Sequence, residues 1–471
     1  MFNCAKCNKI KINIAFIKNN VIIYVSKIGG IYMKSISKKV ISALLSVIMV
    51  ALIAIPAFAA EQVEYAITNP YETVDWDAWN TYKAQLHAHT LYSDGEMTIT
   101  DVVESYYALD YDILAITDHG VVNQGWDKVP DMIDIISYNQ YIKKLEPLSA
   151  ERYAEITSGA DRGGRGMLDV PQGIEMNALV VRKNHVNGFF CGAASKVLGT
   201  EEDYESVIKA TEEAGGISFI NHPGDFYGAA GDIAKAQNPD NLRDWANIYM
   251  TYESCVGLEV FNEDDVISKH DRVIWDNLLM YTIPRGRVIW AFGNDDSHWD
   301  DHIGHTANMM LMPANTVEDL RTAMENGTLF VCSKNAKYEM GDEFRGDGNY
   351  AEINRVIVDD ENDVISVDLT SASEYTVEWV ADGAVIATGD SINLRDYAEE
   401  IGSYVRFQVK NAGGILLSQP FVCDDGNMEA CLIEYPAEKS YDNPIMQFIY
   451  EMYLFLRRTI IGAFIYDEFF L

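Results

Sequence analysis

The chain has 471 residues, 48% hydrophobic and 23% charged, globular proportions that exclude a disordered, collagenous or channel-forming protein. Acidic residues outnumber basic ones 71 to 36, a net charge of −35, which argues against a surface that grips nucleic acid through Lys and Arg. The length fits roughly two or three domains.

The charge is uneven along the chain. Residues 1–60 contain eight Lys and no Asp or Glu, so residues 61–471 hold 28 basic against 71 acidic groups, or −43. Lys34, Lys38 and Lys39 precede an apolar run from Val40 to Ile55. Pro56 ends that run, and Ala57-Phe58-Ala59 has the small-x-small pattern of a signal-peptidase site. This layout predicts a signal peptide over residues 33–59 starting at Met33, with residues 1–32 a gene-model extension and residues 60–81 a linker. The protein is then expected to be secreted or extracellular. An uncleaved membrane anchor is the alternative, because the apolar run is near the lower length limit for a span. Cys4-Ala5-Lys6-Cys7 is a lone CxxC in the extension and carries no weight. The five later cysteines, Cys191, Cys255, Cys332, Cys423 and Cys431, are too sparse for a disulfide framework. Cys423 and Cys431 are the one pair near enough in sequence to suggest a bridge.

From residue 82 short apolar runs recur, and polar residues stand at their ends. Tyr82–Leu86 runs into His87-Ala88-His89, and Asp112–Thr117 into Asp118-His119. Gln172–Ile174 ends at Glu175, Ile217–Ile220 at Asn221-His222, Gly257–Phe261 at Asn262, and Val288–Phe292 at Gly293-Asn294-Asp295-Asp296-Ser297-His298. Helical signals lie between: Thr100 is placed to cap a helix through Leu109, and Glu202–Ala214 stops at Gly215-Gly216. Ser268–Met280 has apolar residues at helical spacing, and Thr316–Asn326 is closed by Gly327. Strands alternating with helices predict parallel sheet built from βα units. In such folds, catalytic groups gather at the C-terminal ends of strands. One segment breaks the pattern. Nine residues separate Glu175 from His185, too few for a crossover helix. The run His185–Cys191 is therefore expected to return antiparallel, with His185 facing the same cavity as Glu175.

His87-x-His89 puts two imidazoles on one face of a strand end, and Asp296-x-His298 repeats the device. With Asp94, His119, Glu175, His185 and His222 this makes nine donors of nitrogen and oxygen type. They are more than one ion takes at four to six ligands, so two or three divalent metals are implied, and the absence of thiolates favours Mn, Zn or Fe. His270, inside a predicted helix, reads as structural; His302 and His305 are left open between an outer-shell role and plain surface.

His87-Ala88-His89-Thr90, Ser93-Asp94-Gly95, Ile116-Thr117-Asp118-His119, Gly173-Ile174-Glu175, His222-Pro223 and Gly293-Asn294-Asp295-Asp296-Ser297-His298 resemble the motifs of the PHP (polymerase and histidinol phosphatase) family. The resemblance covers roughly residues 82–335. It implies an α/β fold, a distorted seven-stranded β/α (TIM-like) barrel, with a trinuclear metal centre that hydrolyses phosphoesters. On that analogy His87, His89, Glu175 and Asp296 hold one metal, and Glu175 bridges to a second completed by His185 and His222. Asp94, His119 and His298 hold the third. The reacting centre would comprise Asp94, His119, Glu175, Asp296 and His298. Closely spaced divalent ions acidify a shared water, so a metal-bridging hydroxide is the expected nucleophile.

Residues 121–170 form a long insertion between motifs. Arg162-Gly163-Gly164-Arg165-Gly166 lies within it, and Arg162, Arg165 and, further on, Arg182 are candidates to hold substrate phosphate; a solvated turn is the alternative for the glycine-rich stretch. Residues 350–425 switch to short alternating strands, Val364–Leu369, Tyr375–Val380, Val385–Thr388, Tyr404–Val409 and Ile415–Val422, which predict a small all-β sandwich acting as an accessory or docking module. Residues 443–471 form an apolar, helical tail with Ile445, Phe448, Met452, Phe455, Thr459 and Phe464 near one stripe. Glu451, Arg457 and Arg458 interrupt it, which disfavours a span. Docking on the protein is expected, with pairing to another chain and contact with a cell or membrane surface as the other readings.

The functional expectation is a secreted metal-dependent phosphoesterase acting on small phosphomonoesters or phosphodiesters, nucleotides included. The alternatives are an exonuclease trimming short oligonucleotides and a non-catalytic, metal-containing surface binding protein. Long nucleic acid is disfavoured by the charge of residues 61–471.

Overall fold

The computed structural model describes residues 11–17, 20–27, 30–37, 63–130, 147–176, 185–192, 204–226, 228–433, 444–446, 448, 449 and 452. The chain divides into two units, Met1–Val63 and Glu64–Leu471. In the first, β1 (Lys11–Ile17), β2 (Asn20–Lys27) and β3 (Gly30–Ser37) form an antiparallel sheet in the order β1-β2-β3. The apolar run Val40–Ile55, the expected cleavage site at residues 57–59, and Arg182 lie outside the described residues.

The second unit opens with β4 (Ala66–Thr68) and β5 (Asn80–Gln85). Helix α1 (Ile99–Ala108) begins two residues earlier than the sequence suggests. Thr98 is its N-cap, accepting from the backbone N–H of Asp101, while the Asp101 side chain accepts from Thr98 in return. This reciprocal box satisfies two backbone donors that Thr100 could not reach. Then come β6 (Ile113–Leu114), α2 (Ala150–Ser158), β7 (Leu168–Asp169), β8 (Ile174–Met176) and β9 (Val186–Phe189). Helix α3 (Tyr204–Glu213) leads to β10 (Ile217–Ile220), and α4 (Pro239–Thr251) to β11 (Cys255–Asn262). Helix α5 (Asp271–Thr282) precedes β12 (Trp290–Asn294). After β13 (Thr306–Met312), α6 (Val317–Asn326) ends at Gly327, whose φ of 69° suits a residue without Cβ, and whose added Cβ would meet the Trp290 ring at 2.4 Å. Strand β14 (Leu329–Ser333) follows.

The strands fall into two sheets. One has the order β12-β11-β10-β9-β8. Its β9 runs antiparallel to both β8 and β10, with Glu175 opposite Asn187, as the nine-residue connection requires. In the other sheet β5, β6 and β7 are parallel neighbours, and β13 adds to the outer edge of β5 antiparallel. The two sheets meet through isolated parallel bridges, His119 to Glu175 and Ala88 to Ser297. A closed, hydrogen-bonded seven-stranded barrel is therefore not formed among the described residues. The physical reason is strand length: β6 and β7 have two residues each and β8 three. Past these points the backbone turns its polar side chains inward and leaves the ladder.

Packed side chains hold the sheets in place. Phe219 stacks on Phe292 at 4.7 Å between ring centroids, within a core that includes Trp245, Trp275, Leu258 and Val260. A second cluster around Tyr106, Tyr111, Trp126 and Met167 sits between α1, α2 and the strand ends. Each large apolar side chain buried in this way contributes roughly 1.5–3 kcal/mol.

The C-terminal region is β-rich, as its alternation predicts: β15 (Glu352–Asp359), β16 (Val364–Thr370), β17 (Tyr375–Ala381), β18 (Ala384–Thr388), β19 (Ser391–Asn393), β20 (Tyr404–Asn411), β21 (Gly414–Leu417) and β22 (Phe421–Asp424). Strands β15, β16 and β19 make a sheet of their own, while β18-β17-β20-β21 continue the sheet of β5 through β14. Ser418-Gln419-Pro420 splits the expected run Ile415–Val422 in two, and Gln419 is put to use. Its amide accepts from the backbone N–H of Ala291 at 2.9 Å and donates to the carbonyl of Ala291 at 3.0 Å, tying this region to β12. Buried Arg406 on β20 grips Asp276 on α5 with two contacts of 2.8 Å. The five cysteines are free thiols, so the suggested Cys423–Cys431 bridge is not formed; the sulfur of Cys431 instead donates to the carbonyl of Gly402. In the tail, residues 444–446, 448, 449 and 452 are helical and exposed. No helix among the described residues is long and apolar enough to cross a membrane.

Candidate metal centre

The strand ends converge. His87 and His89 follow β5, and their side chains share one face because Ala88 between them bridges to Ser297. His119 follows β6, Glu175 lies within β8, His185 stands just before β9, and His222 follows β10. Asp296 and His298 follow β12. His222 and Asp296 have positive φ, 23° and 46°, a conformation that side chains other than glycine rarely adopt. Local hydrogen bonds hold it: the N–H of His222 donates to Glu259 at 3.0 Å, and the N–H of Asp296 donates to the carbonyl of His87 at 3.1 Å.

All nine sequence-predicted donors meet around Glu175 and Asp296. Nε2 of His87 and Nε2 of His89 are 3.1 Å apart. Both face Glu175 Oε2, at 3.3 and 3.0 Å, and Asp296 Oδ1, at 3.2 and 3.0 Å. His119 Nδ1 approaches the same Glu175 oxygen at 3.0 Å. The other Glu175 oxygen lies 2.9 Å from His185 Nδ1 and 3.7 Å from His222 Nε2. Asp94 faces His298 at 3.4 Å, His119 at 3.5 Å and His89 at 3.6 Å. Three metal-compatible groups result: His87, His89, Glu175 and Asp296; His119, Glu175 and His185; and His89, Asp94, His119 and His298.

The donor set fits metal ions. Glu175 Oε2 and Asp296 Oδ1 are buried and make no hydrogen bond, although imidazole nitrogens stand 3.0–3.3 Å away. Buried carboxylate oxygens ringed by imidazole nitrogens at this spacing call for positive charge between them, supplied by a proton or by a metal ion. Neighbouring donors around an ion held at about 2.1 Å are separated by roughly 3.0–3.4 Å, the spacing seen here.

Charge in the cluster is balanced internally. Burial by itself would raise Glu175 and Asp296, but the surrounding imidazoles hold both carboxyls well below their usual range. Burial likewise opposes protonation of His87, yet Asp296, Glu259 and Glu175 raise it well above an ordinary imidazole. Against the same burial penalty, Asp296 and Glu175 lift His89 to about 10, and Glu175, Asp296 and Glu259 lift His222 to about 9. His185 is lowered, chiefly by burial. Ionised carboxylates thus sit among imidazoles that attract cationic charge.

Several supporting residues have roles that the sequence alone did not assign. Glu259, fully buried on β11, approaches Nδ1 of His87 at 2.8 Å and accepts from Asn262 at 2.9 Å and Asn294 at 2.8 Å, besides the N–H of His222. A lone Glu inside the apolar run Val256–Phe261 was the one signal pointing to it. Asp118 accepts from the N–H and hydroxyl of Thr90 and from the hydroxyl of Ser93, which shapes the turn carrying His89 and Asp94. Asp295 accepts from the N–H groups of Gly304, His305 and Thr306. Asn221 donates to Glu175 at 2.7 Å. Glu263 and His302 flank His298 at the rim. His270 and His305 stay out of the cluster; His270 Nδ1 contacts the carbonyl of Ala229 and His305 Nε2 that of Asp301.

Arg162 and Arg165 do not join the cluster. Arg165 makes two contacts with Asp112, at 2.5 and 2.7 Å, and Arg162 donates to the carbonyl of Tyr111 at 2.9 Å and lies over the Tyr107 ring. Asp112 precedes β6, whereas His119 follows it, so both guanidiniums are held at the N-terminal end of the strand. The buried Asp112 carboxylate competes for them there.

Residues 85–259 match the PHP domain family. Among solved structures, the chain is similar to a two-domain protein from Bacteroides vulgatus containing a predicted PHP-like metal-dependent phosphoesterase, at 15% identity and a TM-score of 0.39, over 76% of this chain and 99% of that one. It is also similar to an amidohydrolase from Chromobacterium violaceum with bound sulfate, at 14% identity and a TM-score of 0.28, over 46% of this chain and 87% of that one. No curated protein matches the chain.

Proposed function

We propose, from the PHP domain that residues 85–259 carry, that this chain is a metal-dependent phosphoesterase of small phosphomonoesters or phosphodiesters, nucleotides included. The observation that carries the reading is the convergence of nine nitrogen and oxygen donors in one cluster with Glu175 and Asp296 at its centre, each of which has a buried oxygen that makes no hydrogen bond. His87, His89, Glu175 and Asp296 would hold one divalent ion, Glu175 with His185 and His222 a second, and Asp94, His119 and His298 a third. Mn, Zn or Fe suits this thiolate-free set. Ions bound there would supply the positive charge that stabilises a phosphoryl transition state and acidifies water.

The chain's own residues contribute the rest. His87, His89 and Glu175 form a floor closed to solvent, while His119, His185 and His298 keep side-chain exposures of 18–19%, leaving one open side for substrate. Glu259 and Asn221 orient donors on the floor, so little rearrangement is needed when charge develops. The −43 charge of residues 61–471 favours small phosphoesters over long polyanions. The front of the chain supports a secreted or extracellular location, and the exposed apolar tail supports contact with a cell surface.

The test is to load the full chain with Mn or Zn and assay phosphomonoesters, phosphodiesters and short oligonucleotides beside an Asp296→Ala control. Wild type should release phosphate or alcohol at rates the control cannot reach. Equal, negligible rates would end the enzyme reading. Selective attack on oligonucleotides would favour the exonuclease alternative.

A further inference from the structure

The four largest buried side chains of the second unit are tryptophans, Trp126, Trp245, Trp275 and Trp379, each under 2% exposed. Trp299 is different. It is 41% exposed and directly follows His298, with the two ring centroids 5.9 Å apart. His302 covers part of its ring at a centroid distance of 3.9 Å, and His302 Nδ1 lies 3.4 Å from Glu263 Oε1. Glu263 is anchored to the end of β12 by its N–H, which donates to the carbonyl of Asn294 at 3.2 Å. The loops after β11 and β12 therefore meet as one rim beside the Asp94, His119 and His298 group.

Glu263, His298 and His302 could be read as a further metal group, since their ligand atoms lie within 4.8 Å of one another. The imidazole of His298 argues against this. Its Nδ1 is 2.8 Å from the carbonyl of Asp296 and its Nε2 faces Asp94, so neither nitrogen is left for another ion.

We infer that Trp299, backed by His302 and Glu263, is a shelf for the planar aromatic group of the substrate's alcohol. The inference rests on the phosphoesterase reading above and names the substrate class: phosphoesters of aryl or nucleoside alcohols. A phosphate at the metal cluster directs its ester substituent outward, towards the open rim. An exposed indole there offers a π-face on which a ring stacks, and a carboxylate nearby accepts hydrogen bonds from ring or sugar donors. An aliphatic alcohol has no such face to present.

Wild type, Trp299→Ala and Trp299→Phe, loaded with Mn, are to be compared on 4-nitrophenyl phosphate, adenosine 5′-monophosphate and glycerol 3-phosphate. Removing a stacking ring costs at least ~fivefold per base. Trp299→Ala should therefore lower kcat/KM by that factor on one or both aromatic esters, and by less than about twofold on glycerol 3-phosphate. Trp299→Phe should retain most of the selectivity. The aromatic ester that suffers more tells an aryl from a nucleoside site. In parallel, saturation-transfer NMR should show adenosine contacting the wild-type chain and not Trp299→Ala. Equal changes on all three esters, or none, would overturn the shelf. If wild type hydrolyses none of them, the phosphoesterase reading falls, and the adenosine measurement still decides the shelf: loss of contact in Trp299→Ala supports it, and unchanged contact refutes it.

Discussion

The Glu259 carboxylate lies 2.8 Å from Nδ1 of His87, and this contact settles which ring nitrogen faces the cluster. With a metal ion bound, a proton kept on Nδ1 and shared with Glu259 would leave the Nε2 lone pair pointing at the ion beside Glu175 and Asp296. A carboxylate behind a ligand histidine fixes its tautomer and raises its basicity.

Glu259→Ala would leave His87 and the amides of Asn262 and Asn294 without their common acceptor. Metal affinity should fall by ~10–100-fold, measured by competition with a chelating dye. Unchanged affinity would show that Glu259 serves the fold alone.

Metal binding should expel protons. His89 and His222 are raised to about 10 and about 9, so both hold protons at pH 7.5 until a cation displaces them. Affinity should therefore rise with pH through about 9–10. Calorimetric titration with Zn in buffers of differing ionisation enthalpy should report net proton release on binding. No buffer dependence would contradict the charge balance described for the cluster.

Arg165→Ala should act on stability and leave kcat/KM within about twofold of wild type. The buried Asp112 carboxylate loses two charged hydrogen bonds, a change that costs ~1–3 kcal/mol, read from urea midpoints. A raised KM with unaltered stability would return Arg165 to the substrate.

Asp169 offers a pH test away from the metal cluster. Burial lifts its carboxyl from the ordinary 3.8 to about 6, although Trp126 and Asn123 donate to it. Between those values the unfolded chain releases a proton that the folded chain keeps. The stability linked to the protonated form is present below pH 4 and lost as pH rises through about 6. Asp169→Asn should remove this loss, gaining about 2 kcal/mol relative to wild type between pH 4 and 7. Parallel stability profiles for the two chains would refute the shift.

Much of the molecule is legible in its local pattern. The βα alternation, the antiparallel return at β9 and the placing of Glu175 in β8, and of His87, His89, His119, His222, Asp296 and His298 beyond the C-terminal ends of their strands, follow from residue spacing and counting. The α1 cap lies at Thr98 and not at Thr100 because a reciprocal contact with Asp101 outweighs the weaker end signal. Arg162 and Arg165 point away from the place their sequence suggests because a glycine-rich stretch carries no direction. Only the fold shows that Asp112 waits at the near end of β6.

The net charge also acquires a location. Acidity that reads as an undivided −43 along residues 61–471 is partly gathered inside, where Glu175, Glu259 and Asp296 are buried and matched by imidazoles. By itself the sequence determined which polar residues close or follow the apolar runs, since side-chain alternation and turn signals are properties of neighbours. Tertiary structure decided which of those ends touch, that two sheets meet through bridges instead of closing a barrel, and that Glu259 stands behind His87 across 172 positions. Such pairings depend on packing between distant segments, and no local period encodes them.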